Sequence, residues 1–573
     1  MSKMTGGDIV VRALEDEGVP FTFGIPGTHN IELYDSLGRA EHVRAILVTD
    51  EQSASFMADG VSRSSAKLGV ANVVPGAGLT HALSGIAEAF LDGIPMLVLA
   101  CGIRTDSKMS YQLHDVDQMA IARPVTKAQF RAAHGSEIYP IIRRACRLAR
   151  TAPAGPVFVE IPVNLYLFRH DVSLDAPAES TPAPKSPEPK ELERLRALLA
   201  SSRRPLLYLG LGAAGAGADL VALAERLEAP VATTIQGKGV FPENHPLWLW
   251  CGFGDAAPPF VRNIAAGCDL TLAIGCRFSE VGTGSYGLKP PGPLVHADVD
   301  PSVLGKNFPA ELAISADAAA FVSVLLSDLP QKSSSSELRQ EIRAGHADIW
   351  SDWASQAGSK RVSPPHLLKT LQTVLGPDAI YTSDSGNGTF LAMECLRLDR
   401  ARSFLAPVDY SCMGYSVPGA LGAALACPER PVAALAGDGA FLMTGLEMLT
   451  ASHLGLPVMV LVLRDRELAQ IAQFQETALA QKTCSELHEF DLAAIARGCG
   501  VDFLRLPCDA DVENVLQQAR AITASGRPVV VEVEIDYSRK TFFTRGVVRT
   551  NLGRLPWADR LRFVARALGR RLT

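Results

Sequence analysis

Long apolar runs are missing from this 573-residue chain. The longest, such as Ile94–Ile103, fall well short of the about 20 residues that a membrane-crossing helix needs. An excess of positive charge is missing too. Against 61 Asp and Glu stand 55 Lys and Arg, a net charge of −6, which argues against nucleic acid as the main partner. The eleven cysteines have no paired metal-ligand spacing, and the Met1–Asp8 start carries no signal-peptide core. Reduced thiols in a cytoplasm are the simplest account. Charged residues make up only 20% of the chain and hydrophobic ones 47%. That composition excludes a disordered protein and leaves a core-rich globular one of about three or four domains.

What is present is punctuated twice. Ala176–Lys190 holds five prolines, and Ser327–Glu337 holds four serines in a row; both read as linkers. They set expected domains at residues 1–175, 191–328 and 362–536, followed by a basic tail at 537–573. Within each segment short β-branched runs, such as Val70–Val74, Leu270–Ile274 and Val458–Leu463, alternate with longer helical patterns. The expected fold class is therefore α/β, with three doubly wound parallel sheets. The first and third segments share a pattern, as duplicated domains would. In the tail, nine Arg and one Lys face a single acid, Asp559. Trp557, Leu561, Val564 and Leu568 fall at helical spacing, which predicts an amphipathic helix docked by its apolar side. A basic lid over an anionic substrate is the alternative.

Gly437-Asp438-Gly439-Ala440 ends the apolar run Pro431–Ala436, and Asp465 ends the next such run 27 residues later. Two successive parallel strands deliver their carboxylates to the same sheet edge, where open α/β sheets bind ligands. Glycines admit a phosphate, and hard oxygens suit Mg²⁺ or Ca²⁺. The pattern reads as a metal-bound diphosphate site. It resembles the diphosphate motif of thiamine diphosphate enzymes, with Asp465 where that family carries Asn. The resemblance implies thiamine diphosphate and Mg²⁺ as cofactors. It makes Asp438, Asp465 and the carbonyl of Glu467 the metal ligands, with Gly437, Gly439 and Ala440 beside the diphosphate. Arg464 and Arg466 are expected to offset the extra negative charge.

Other segments resemble the same family. Ile380–Gly388 reads as a strand entering a glycine turn, whose Gly386, Asn387 and Gly388 would cradle the terminal phosphate. Tyr410–Gly419 is similar to the family's Gly-x-Met-Gly segment. By resemblance, Met413 would wedge the cofactor into a bent shape, and backbone groups of Ser411 and Met413 would bind its aminopyrimidine. Glu51 opens a small-residue helix after a strand. Taken alone it is an acid on a helix dipole; by resemblance it is the catalytic glutamate bonded to the aminopyrimidine, with a raised pKa. Val74–His81 is similar to the family's Gly-Pro-Gly-x-Thr-Asn turn, with Ala77 for Pro and His81 for Asn. His29, Gln112 and His114 are the remaining polar candidates for the substrate side, with Asp115 expected to cap the next helix. Gly-x-Gly-x-x-Gly at Gly210–Gly215 suggests a dinucleotide site, with Glu225 or Glu228 as its acid. Arg277–Glu280 resembles, imperfectly, the Arg-Phe-Asp-Asp segment of flavin-containing acetolactate synthases; many thiamine enzymes keep this domain empty, and an empty middle domain is favoured over one holding FAD.

The resemblance points to acetolactate synthase-like and benzaldehyde lyase-like enzymes. It implies decarboxylation of a small 2-oxoacid such as pyruvate and joining of the acyl unit to an aldehyde or ketone. Plain decarboxylation, acyloin cleavage, and a catalytically weak nucleotide- or flavin-binding relative remain alternatives. The Leu113-His114-Asp115 pattern is also similar to guanidino-oxoacid decarboxylases. Because Glu51 and the diphosphate motif lie in different domains, the family pattern implies a homodimer or homotetramer with active sites between subunits, and no nucleic acid or membrane partner.

Overall fold

Each set of β-branched runs condenses into a six-stranded parallel sheet in the computed structural model, which describes residues 2–174, 183–355 and 360–572. Their strands are apolar almost throughout, because helices cover both faces; Val458–Arg464 and Met96–Gly102 are buried along their whole length. In the first sheet the spatial order is Arg44–Leu47, Phe21–Gly24, Gly69–Val73, Met96–Gly102, Pro156–Pro162, Ala128–Arg131. The third repeats that order with Phe404–Leu405, Ile380–Ser383, Val432–Gly437, Val458–Arg464, Val529–Glu534 and Asp502–Leu506. Both read 2-1-3-4-6-5 in chain order, a structural echo of the shared sequence pattern. The middle sheet reads 3-2-1-4-5-6, the order of dinucleotide-binding folds. A small antiparallel pair, Ser2–Thr5 with Arg169–Val172, closes the first unit.

The first and third units are joined by a helix crossing built on small residues. Glu51–Ser64 packs against Ser416–Ala426. A Cβ added at Gly60 would fall 2.3 Å from the carbonyl of Gly419, and one at Gly422 would fall 2.2 Å from the carbonyl of Met57. The pairings 60–419 and 57–422 make the helices antiparallel. Beside the crossing lies a buried polar lock. Arg63 pairs with Asp59 and with Asp92, both at 2.8 Å, and the Tyr415 hydroxyl donates to Asp59 at 2.6 Å. Unpaired, any of these charges would be costly at this depth.

Several expectations are corrected. The tail forms two helices, Phe542–Arg554 and Trp557–Leu572. Phe543, Thr544, Gly546 and Thr550 of the first are buried, and the second lies against the helix Ala469–Leu479. Gly546 sits so close to Ala256 that a Cβ would reach 2.2 Å from its Cα. Trp557 and Leu561 of the second are exposed; the side chains of Val564 and Leu568 lie outside the described residues, as do residues 176–182 of the first linker. Asp117, not Asp115, caps the helix Gln118–Ala122, since the chain needs two more residues to turn. Nine of the eleven cysteines are buried, Cys508 is half-buried and Cys484 is exposed, and all are free thiols. Among the described residues no helix is long and apolar enough to cross a membrane.

The crossing yields a direct test. Gly422→Ala is expected to lower stability by about 1–3 kcal/mol through overpacking. Gly498→Ala, at a helix end where an added Cβ meets open space, is expected to be neutral or stabilising by about 0.4–1 kcal/mol. Denaturant unfolding of the two variants checks both signs.

Candidate active site

The order of the third sheet reverses between Ile380–Ser383 and Val432–Gly437, and ligands bind at such switch points. The loops leaving these strands carry Gly386 and Asp438, and Asp465 follows the adjoining strand Val458–Arg464. Gly386 has φ +130° and precedes the helix Asn387–Cys395, so free N–H groups open toward this edge. A Cβ on Gly437 would meet only open space, which leaves room beside the carboxylates. Asp438 Oδ2 accepts the N–H of Arg466 at 2.8 Å and Oδ1 that of Gly439 at 2.9 Å. Burial, and then the charge of Asp438, push the Asp465 carboxyl up to about 7. Buried Asp438 and half-buried Asp465, whose charges repel each other, are a donor set suited to a hard cation. Tyr537, half-buried, lies near both, and desolvation and their charges push its hydroxyl pKa up.

Arg464 and Arg466 do not serve as the expected counter-charges alone. Arg464 pairs with Glu489 and Glu532, and Arg466 with Glu489 and Glu534. These acids project from neighbouring segments and absorb both guanidinium groups. Glu467 is bridged to Lys482 at 2.6 Å through its side chain, so the carbonyl is the group left for a ligand.

Met413 is half-buried, and its Cε lies 3.6 Å from where a Gly439 Cβ would stand. The methionine and the Gly-Asp-Gly turn therefore share one cleft, together with Leu468. Ser411 takes a left-handed φ of +66° and meets Ser385 hydroxyl to hydroxyl at 2.7 Å. Two buried acids missed by sequence reasoning brace this turn. Asp384 accepts the N–H of Ser416 at 2.9 Å, and burial pushes its carboxyl up to about 6. Glu88, from the helix Ala77–Asp92, accepts the N–H of Cys412 at 3.1 Å; burial and the charge of Asp92 push its pKa up. The signal for Glu88 was its place as the one mid-helix acid in an apolar stretch.

Around the first sheet's edge gathers a second cluster. Glu51 is the first residue of its helix, capped by Asp50. Its carboxylate lies over Gly78, 3.1 Å from the Cβ that position lacks, and 3.7 Å from His81 Nδ1. Tyr34 lies near enough for the Glu51 charge to help raise its pKa. His29 and His114 meet edge to face at 5.4 Å, and burial, then the His114 charge, lowers the His29 pKa. Gln112 is turned onto its own loop, donating to the carbonyl of Arg104 at 3.0 Å. Gln118, also missed, is buried and bonds both the Gly76 N–H and Glu160. His114, Ser411 and Arg466 all hold positive φ without being glycine; such strain gathers at functional segments.

The two clusters lie apart within one chain. Glu51 stands nine residues, about 13 Å of helix, before Gly60, at the far end of the antiparallel pair from the Met413 turn.

In the middle sheet, the loops at the reversal point line a cavity of about 700 Å³ that includes Gly210, Arg277, Asp298 and Arg402. The glycine motif serves packing, since a Gly210 Cβ would strike the Gly275 carbonyl at 2.0 Å. It leads into a 3₁₀ turn before the helix Gly217–Leu227. Glu228 is spent on Arg339 and Glu225 faces His245, so neither is the expected ribose-binding acid. Asp298, at a strand end on the cavity wall, is better placed.

Comparison with known proteins gives the lineage. Profiles for thiamine pyrophosphate enzymes match the N-terminal TPP binding domain over residues 4–121, the central domain over 192–325 and the C-terminal TPP binding domain over 384–533. A probable acetolactate synthase large subunit of Methanocaldococcus jannaschii is 31% identical, across 93% of this chain and 92% of its own. The chain belongs to the thiamine pyrophosphate enzymes. The large subunit of Escherichia coli acetolactate synthase isozyme 3 is 30% identical across 95% of this chain and 96% of its own. A probable 2-ketoarginine decarboxylase of Pseudomonas aeruginosa is 34% identical across 82% and 83%. As a member of this family the protein is an enzyme that uses thiamine diphosphate with Mg²⁺, and the cleft of Gly386, Met413, Asp438 and Asp465 fits that group.

Asp438→Ala is expected to weaken thiamine diphosphate retention at least about tenfold, while Asp465→Asn, which restores the family's residue, weakens it far less. Titration of apoprotein with the cofactor and Mg²⁺, followed by tryptophan fluorescence, checks the ranking.

Proposed function

We propose that this enzyme is a carboligase of the acetolactate synthase type, decarboxylating a small 2-oxoacid and joining its acyl unit to a carbonyl acceptor. The observation that carries it is the pair of half-sites, Glu51 on one sheet edge and the Asp438–Asp465 cleft on another, in a chain similar to acetolactate synthases over nearly its whole length. When bound, thiamine diphosphate supplies a nucleophilic carbon and a sink for the electrons left by departing carbon dioxide. In this reading Asp438, Asp465 and the Glu467 carbonyl hold Mg²⁺, and the Gly386–Gly388 turn and Gly437–Ala440 hold the diphosphate. Met413 and Ser411 set the aminopyrimidine, and Glu51 holds a proton against its N1′ atom. His29 and His114, paired at the first edge, position and protonate the substrate oxygen. Gln112 joins them only if its loop turns.

We read residues 1–175, 191–328 and 362–536 as the pyrimidine-binding, central and diphosphate-binding domains. The separation of Glu51 from Met413 in one chain supports active sites shared between two copies, as a homodimer or homotetramer. Exposed Leu442, Met443, Leu446 and Leu449 next to the Asp438 helix support the same assembly. Eleven free thiols suit a reducing cytoplasm.

A non-ligating decarboxylase is the second reading, favoured by the 34% identity to the 2-ketoarginine enzyme. Pyruvate and 2-ketoarginine, each with thiamine diphosphate and Mg²⁺, separate the two: acetolactate formation supports the first, carbon dioxide without ligated product the second. A flavin-binding relative with weak chemistry would show yellow colour and neither product. Glu51→Gln is expected to lower kcat by about 10²–10⁴-fold with cofactor affinity retained; a wild-type rate would remove Glu51 from the mechanism.

A further inference from the structure

A second cavity, of about 310 Å³, lies at the root of the tail between the helices Asn387–Cys395 and Phe542–Arg554. Trp353 and Leu391 give it apolar walls; Glu394, Arg539, Lys540 and Arg545 give it charge. The cations are unevenly spent. Arg539 pairs with Asp352. Lys540 reaches only the Thr477 hydroxyl, at 2.7 Å. Arg545 lies over the Phe542 ring at 4.6 Å and donates to the carbonyl of Thr541 at 3.4 Å. Neither Lys540 nor Arg545 meets a carboxylate among the described residues.

The acids do not balance them. Asp536, at the edge, accepts the N–H of Ser538 at 2.9 Å. Glu394 is 2% exposed and accepts the N–H of Phe543 at 2.9 Å through Oε1. Burial pushes its carboxyl up to about 8, against the pull of Arg545 and Arg539, so near pH 7 it is largely neutral and brings a proton rather than a charge. Arg397 and the thiols of Cys395 and Cys251 also lie within range of it. Two uncompensated cations, one acid proton and apolar walls make a recognisable ligand environment.

We propose that this cavity binds a small dianion bearing carboxylate or phosphate groups, held by Lys540 and Arg545 beside the buried Glu394. The bound anion clamps the far end of the helix that begins at the Gly386–Gly388 turn to the first tail helix. Its site is separate from the diphosphate cleft, since Glu394 stands near the C-terminus of the helix and Gly386 before its start. Ionisation of Glu394 sets the sign of the pH dependence. Below about 8 the neutral carboxyl tolerates the anion; above it, a carboxylate repels it and affinity falls.

The test titrates holoenzyme, already saturated with thiamine diphosphate and Mg²⁺, with malonate and separately with inorganic phosphate, by calorimetry. Saturable binding of at least one probe, at one per chain, is expected, and the arm that saturates names the source of the anion. Lys540→Ala with Arg545→Ala is expected to weaken it at least about tenfold with the probe-free melting temperature unchanged. Malonate stays doubly charged from pH 6.5 to 9, so its affinity is expected to fall across that range in the wild type and to stay flat in Glu394→Gln. No saturable heat from either probe, or unaltered binding in the double variant, overturns the proposal. A flat wild-type pH series overturns the role of Glu394.

Discussion

Helix Glu51–Ser64 against helix Ser416–Ala426 is the contact on which the remaining geometry depends. Both helices open on candidate site segments, and both are small-residue helices that approach to carbonyl contact at Gly60–Gly419 and Met57–Gly422. The crossing fixes the register of the first sheet against the third. The lock of Asp59, Arg63, Asp92 and Tyr415 makes any slippage expose a buried charge. Glu51 and the Met413 turn are thereby held at a set separation within one chain. What a second copy contributes to each site follows from that separation.

The same lock touches the middle unit. Asp92 accepts the Asp409 N–H at 3.2 Å and is also bonded by Gln236, while Arg277 pairs with Asp409. Asp409 lies four residues before Met413. One continuous polar path thus runs from the wall of the 700 Å³ cavity to the segment expected to shape the cofactor. Beside this path, burial and the charge of Asp92 raise the pKa of Glu88 to about 8.

The sheets and the carboxylate pair were legible in the sequence because they rest on local rules. Asp438 and Asp465 end consecutive apolar strands, and in a parallel sheet that placement suffices to put them side by side. Gly386 was legible for a similar reason, as a turn glycine between strand and helix. Glu88, Asp384, Gln118, Tyr34 and Tyr537 were not. Only long-range packing decides whom each of these ordinary polar residues meets. The middle glycine motif has the spacing of a phosphate loop, and the structure adds a packing reason for Gly210, on which Gly275 presses. In the tail, helical spacing marked a helix that does lie against Ala469–Leu479, but Trp557 and Leu561 are exposed, since spacing alone does not say which face the contact covers.

The cysteines carry a last consequence. With Cys484 exposed, Cys508 half-buried and nine thiols sealed inside the three units, a thiol reagent finds at most two sulfurs within reach on the native fold. Reaction at any of the nine sealed thiols reports an opening event. Their positions, from Cys101 in the first sheet to Cys276 in the middle and Cys427 and Cys499 in the third, let the order of labelling tell which unit loosens first, without any engineered probe.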